Sequence, residues 1–155
     1  MHIEIPGYTS YDLKYLLLDY NGTVALDGAI KPSVKELIRE ISTELEVFIL
    51  TADTHGTAAA ECAELPVTLK TFPTATAMDS KLEILNSLGA DNCCTIGNGK
   101  NDLLMCRESA LSISVIGEEG CYSKLITQTN ITVKNIEDGF ELLLKPKRLI
   151  ATLRG

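Results

Sequence analysis

At 155 residues the chain is long enough for one hydrophobic core and too short for two full ones. Its 45% hydrophobic content excludes a disordered chain, and no apolar run approaches the roughly 18 residues a membrane-spanning helix needs. With 14 basic against 21 acidic residues the net charge is -7, which lacks the basic footprint of a nucleic-acid binder but leaves a small phosphorylated ligand open.

The elements follow in chain order. His2 to Ile5, then Pro6-Gly7, reads as an added edge strand and turn within residues 1–10. Tyr15 to Leu18 is a buried strand. Ser33 to Glu44 is a helix, with Val34, Leu37, Ile38 and Ile41 at helical spacing. Glu46 to Leu50 is the next strand, Thr57 to Glu64 a short helix, and Val67 to Phe72 a strand. Ser80 to Leu88 is helical and stops at Gly89. Strand Cys93–Ile96, helix Asp102–Glu108 and strand Leu111–Ile116 come next, then helix Cys121–Ile126, strand Ile131–Val133 and helix Ile136–Leu144. Residues 145–155 form a basic tail, read as a solvated terminal helix or a contact for a partner's acidic face. No linker or composition break divides residues 1–155, so a single domain is expected.

Strands separated by single helices predict an α/β fold: a mainly parallel sheet in three Rossmann-like layers, with helices on both faces. The start, Met1-His2-Ile3-Glu4, lacks the charged and apolar regions of a signal peptide, so a cytoplasmic location is expected. The five cysteines form no Cys-x-x-Cys pair and read as reduced and mostly buried.

In such sheets ligands bind beyond the carboxyl ends of the strands, so the residues after each apolar run matter most. Asp19-Tyr20-Asn21-Gly22-Thr23 follows the first strand of the series, and Thr51-Ala52-Asp53 follows the second. Lys81 lies at the start of a later helix. Gly97-Asn98-Gly99-Lys100-Asn101-Asp102 follows the Cys93 strand. A carboxylate, a hydroxyl, an ammonium and a Gly-rich acidic turn suit phosphoryl transfer.

Read singly, each has a structural explanation. Asp19–Thr23 fits a strand-exit turn, Thr51 a strand end, and Asp53 an N-cap. His55 could reach the site mouth or be an ordinary loop histidine. Asn101 and Asp102 fit an N-cap and first turn. Ser80-Lys81-Leu82-Glu83 fits a capping box, which puts Lys81 in a first turn where a cation opposes the helix dipole by about 0.3–1 kcal/mol. A nearby phosphate would account for that cost.

Taken in order, Asp-x-x-Gly-Thr, Thr, Lys and Gly-Asn-Gly-x-Asn-Asp resemble the four motifs of the haloacid dehalogenase (HAD) superfamily, and most closely its soluble P-type ATPase-like members. The likeness spans about residues 12–150. It implies an Mg²⁺-dependent phosphohydrolase in which Asp19 forms an aspartyl-phosphate and also ligates the metal. Asn21 would lend its backbone carbonyl to the ion. Thr51, the neighbouring backbone N–H of Ala52, and Asn101 would hold the phosphoryl group. Lys81 would balance charge, and Asn98 and Asp102 would face the metal.

Two departures stand out. Phosphatases of this superfamily usually carry an aspartate at the place of Asn21, where it protonates the leaving group; an amide cannot. General acid–base catalysis is worth about 10²–10⁴-fold, so slow turnover or a good leaving group is expected. Asn98 also replaces a metal-ligating aspartate, leaving two carboxylates and weak Mg²⁺ binding.

Only 31 residues separate Asp19 from Thr51 and 29 separate Thr51 from Lys81, so no cap domain fits and Thr23 to Lys31 is left as a short flap. An uncapped site takes a macromolecular substrate, or is closed by a second copy of the chain, as in the capless sugar-acid phosphatases of the superfamily. A nucleotide would have to be held by its phosphates, by the flap or by a partner subunit. The alternative reading is a non-catalytic or regulatory binding protein that retains the fold.

Overall fold

The computed structural model describes residues 1–53 and 56–155. In chain order the elements are β1 (His2–Ile5), β2 (Thr9–Asp12), β3 (Tyr15–Asp19), β4 (Ala25–Leu26), β5 (Ala29–Ile30), α1 (Pro32–Ile41), β6 (Glu46–Thr51), α2 (Ala58–Cys62) and β7 (Val67–Thr71). They continue as α3 (Ala77–Leu88), β8 (Cys93–Gly97), α4 (Leu103–Glu108), β9 (Leu111–Val115), α5 (Ser123–Ile126), β10 (Ile131–Val133), α6 (Ile136–Leu144) and α7 (Pro146–Leu153).

Six strands form one parallel sheet in the order β10-β9-β8-β3-β6-β7. Alternate residues of β3 point to opposite faces, as strand geometry requires. Leu16 and Leu18 pack with Val34, Ile38, Phe140 and Leu149 on one face, whereas Leu17 packs with Leu85, Met105 and Leu125 on the other. The sheet is therefore covered on both sides, as strands separated by single helices predicted.

After β3 the chain builds β6 and β7 on one side, then crosses to place β8 on the other. The crevice of a parallel sheet opens at such a reversal, beyond the carboxyl ends of the two flanking strands. Here those ends are Asp19 and Gly97.

One expectation needs correction. The strand at residues 2–5 is not an edge of the main sheet: it pairs antiparallel with β2 in a separate hairpin, His2 opposite Asp12 and Ile5 opposite Thr9. Ile3, Ile5 and Tyr11 bury one face of that hairpin in the main core, against α7. The basic tail forms the expected terminal helix, α7, mostly exposed but docked at one apolar position. Leu149 of α7 is fully buried, and Lys145 and Arg148 both pair with Glu141 of α6.

The flap is a tight hairpin of β4 and β5. Its central residues Asp27 (φ 50°) and Gly28 (φ 81°) both adopt positive φ, the requirement of a two-residue type I′ turn. Tyr20 Oη and Thr57 Oγ1 donate to the Gly28 carbonyl at 2.9 and 2.5 Å, and the Ile30 N–H donates to Glu61 Oε2 at 3.0 Å. On the other side Glu119 accepts from the Asp27 N–H at 3.2 Å. The flap is thus pinned at both flanks.

All five cysteines are free, four buried and Cys121 half-buried, as expected. Burial pushes the Cys62 and Cys93 thiols up to about 11, which keeps them protonated near neutral pH.

Candidate active site

Asp19 closes the central strand β3 and is 6% exposed. Its register partner on β6 is Leu50, so Thr51 lies one residue beyond it on the neighbouring strand. Lys81 reaches Asp19 from α3: Nζ stands 2.5 Å from Asp19 Oδ1, 2.6 Å from Asp102 Oδ1 and 3.3 Å from Asn101 Oδ1. This lysine is completely buried. Burial alone would lower its pKa, but the Asp102 and Asp19 carboxylates outweigh that effect and hold it charged.

Lys81 does not sit in a first helical turn behind a capping box. The helix begins at Ala77, after a 3-10 turn at Thr74–Thr76, so Lys81 lies in its second turn. The dipole penalty expected for a first-turn cation therefore does not apply. Two carboxylates, rather than a bound phosphate, account for its placement.

Asp102 is also fully buried and uses both oxygens within the protein. Oδ1 meets Lys81; Oδ2 accepts from the Gly99 N–H at 2.8 Å and the Asn98 N–H at 3.1 Å. The capping carboxylate of this turn is thus Asp102, not the Asn101 side chain. The turn depends on Gly97, where an added Cβ would lie 2.5 Å from Asp102 Cγ.

Asp19 Oδ2 accepts from Thr23 Oγ1 at 3.0 Å, and the same hydroxyl lies 3.2 Å from Asn98 Oδ1. Asn98 Nδ2 in turn donates to the Gly120 carbonyl at 3.1 Å. An added Cβ on Gly22 (φ 78°) would stand 2.3 Å from Asn98 Nδ2, so only glycine fits there. Glu119 and Gly120 carried no role in the sequence reading, and Thr23 entered it only as the end of the Asp19 motif and the start of the flap. The offset of four residues from Asp19 points to Thr23, and Glu119-Gly120 follows the apolar run of β9.

Asn98 is therefore a tether as well as an oxygen donor. A carboxylate in its place would set an oxygen against the Gly120 carbonyl. Asn98→Asp is expected to cost about 1–3 kcal/mol in metal-free protein, measured as a lower denaturation midpoint in the presence of a chelator.

Thr51 is buried, and its Oγ1 accepts from the Asp53 N–H at 2.8 Å, which leaves the hydroxyl proton available to a ligand. Asp53 adopts φ 48°, and its Oδ1 accepts from the Ala58 N–H at 3.1 Å, so it caps α2 from five residues upstream. His55 lies outside the described residues.

Asp19, Asn21, Ala52, Asn98 and Asn101 line one open cleft of about 560 Å³. Thr51, Lys81 and Asp102 form its deeper support rather than its wall. Burial and the neighbouring Asp102 charge push the Asp19 carboxyl up to about 6, against the opposing pull of Lys81 and Thr23. An anion with a raised pKa beside open space can be relieved by a cation or can attack an electrophile.

The oxygen donors fit Mg²⁺, which keeps several waters and takes only one or two protein carboxylates. Asn21 Oδ1 is buried without a hydrogen-bond partner, as an oxygen awaiting a cation or a water would be. No cluster of three His, Cys, Asp or Glu able to hold a metal occurs among the described residues. No helix among them is long and apolar enough to cross a membrane.

No model of a known protein family matches the chain. The uncharacterized protein MJ0073 of Methanocaldococcus jannaschii is 46% identical over 79 residues, covering 48% of this chain and 85% of that protein. The 3-deoxy-D-manno-octulosonate 8-phosphate phosphatase of Moraxella catarrhalis, solved with magnesium, phosphate and its KDO molecule, superimposes with a TM-score of 0.73 at 18% identity. That match covers 92% of this chain and 94% of the phosphatase. A Legionella pneumophila protein assigned to the HAD superfamily, subfamily III A, gives 0.73 at 13% identity over 92% of this chain and 87% of its own. The chain belongs to the family represented by MJ0073, and its fold is that of the HAD hydrolases.

Proposed function

We propose that the protein is an Mg²⁺-dependent phosphohydrolase of the HAD type that passes through an aspartyl-phosphate on Asp19. The observation that carries this reading is the buried Asp19–Lys81–Asp102 triad at the carboxyl end of the central strand, opening on a cleft. A lysine held between two carboxylates keeps its charge and leaves one of them, Asp19, facing the cleft. Asp19 would attack phosphorus, Lys81 would offset the charge of the transferring group, and Thr51 with the Ala52 N–H and Asn101 would hold its oxygens. Asp19, Asn21 and Asn98 would hold Mg²⁺, with Asp102 acting from behind through Lys81 or a water. When bound, the ion would neutralise phosphoryl charge as a Lewis acid.

The resemblance to soluble P-type ATPase-like proteins supports a slow variant of this chemistry, because Asn21 cannot protonate a leaving group. The open cleft suits a macromolecular substrate or closure by a second copy. The experiment is phosphate release from aryl phosphates with Mg²⁺ and with chelator; metal-dependent release is expected. Asn21→Asp is expected to raise turnover on alkyl phosphates by about 10²-fold or more, read from initial rates. Unchanged rates would show that Asn21 does not stand at the leaving-group position.

The two asparagines favour one other reading, a non-catalytic HAD-fold binding protein. No metal-dependent phosphate release across a broad substrate panel would support it.

A further inference from the structure

Among the described residues, the cleft carries one charged side chain that the reaction above does not use. Besides buried Asp19, Lys100 is the only ionisable residue among the described residues lining it. Lys100 is exposed, opens the 3-10 turn Lys100–Asp102, and forms no ion pair among the described residues. Among the other described lining residues Ala52, Thr74, Ala75 and Met78 carry no charge. On a chain of net charge -7, this unpaired cation offers an exposed positive charge at a cleft whose buried Lys81 is already paired with two carboxylates.

Asn21 makes this cation consequential. Asp19 forms a bond to phosphorus as the bond from phosphorus to the leaving oxygen breaks, and the electron pair departs with that oxygen. The amide of Asn21 supplies no proton, so the leaving group departs as an anion and its charge must be met by another group. Water then attacks the phosphoryl group, regenerating the Asp19 carboxylate and releasing monobasic phosphate, so protons and charge balance.

We propose that Lys100 is a specificity-determining residue that selects substrates whose leaving portion carries its own anionic group, a phosphate or a carboxylate, next to the scissile bond. The inference rests on the phosphohydrolase reading and names the substrate class for that same site. A leaving portion of this kind binds Lys100 in the ground state and is held there more strongly as negative charge develops. An uncharged leaving portion meets only Ala75, Met78 and Thr74.

The test compares kcat/KM for phenyl phosphate, 3-carboxyphenyl phosphate and inorganic pyrophosphate in wild type, Lys100→Ala, Lys100→Arg and Lys100→Glu. Wild type should favour an anionic substrate over phenyl phosphate. Lys100→Ala should cut that ratio about tenfold, Lys100→Glu should cut it further, and Lys100→Arg should retain it. The larger ratio, pyrophosphate or carboxyphenyl, identifies which anion the site accepts. Unchanged denaturation midpoints would confirm intact folding, as expected for an exposed side chain. If wild type hydrolyses phenyl phosphate but shows no preference for either anionic substrate, or if the ratio stays within twofold in Lys100→Ala and Lys100→Glu, this inference is overturned while the phosphohydrolase reading stands. If wild type hydrolyses none of the three, both are overturned.

Discussion

Asp19→Asn is expected to abolish phosphate release and at the same time to make the protein more stable near neutral pH. Both effects come from one carboxylate. Asp19 is buried beside Asp102, and these two causes push its pKa from 3.8 to about 6 despite Lys81 and Thr23. A carboxyl whose folded pKa is raised binds its proton more tightly in the folded state. Its ionisation therefore subtracts stability as pH rises from about 4 to about 6, and the loss is complete above that window. The gap between 3.8 and about 6 corresponds to roughly 3 kcal/mol. The amide variant avoids this loss. Its advantage in denaturation midpoint should be absent near pH 4 and fully open by pH 7, measured without metal. Such a stability cost at a functional carboxylate is the usual trade between activity and folding.

Lys81→Met is expected to act in the opposite direction. Its ammonium holds Asp19 and Asp102 together at 2.5 and 2.6 Å with no exposure of its own. Removing one member of a buried ionic network strands the others, at about 3–5 kcal/mol. Urea denaturation of the single variant measures that loss. Adding Asp19→Asn to Lys81→Met should restore part of it, because one of the two stranded charges is gone, and the double-mutant cycle gives the coupling. A loss under 1 kcal/mol for Lys81→Met would show that the carboxylates do not depend on it.

The layered sheet was legible because most strands of the main sheet are short, largely apolar runs set apart from their neighbours by a helical pattern. The motif residues were legible because strand ends can be counted. Lys81 was assigned to the right helix but the wrong turn: Thr74-Ala75-Thr76 has no apolar periodicity, and the helix start is set by the turn after Pro73. The flap's Asp27-Gly28 turn is a local signal that sequence patterns carry openly. The partner of β1 was not visible, since Thr9-Ser10-Tyr11-Asp12 is mostly polar and pairs through its backbone. Nor were the Thr23–Asn98 and Asp27–Glu119 contacts, which join residues 75 and 92 positions apart. Such pairs exist only once the sheet has brought its strand ends together.

The most direct test is chemical trapping of the acyl-phosphate. Protein turning over an aryl phosphate with Mg²⁺ is quenched in acid, reduced with borohydride, digested and read by mass spectrometry. Reduction of an aspartyl-phosphate leaves homoserine, and the account predicts it at position 19 alone, only when substrate and metal are both present. Sustained phosphate release with Asp19 recovered unmodified, or with the label on another residue, would contradict it.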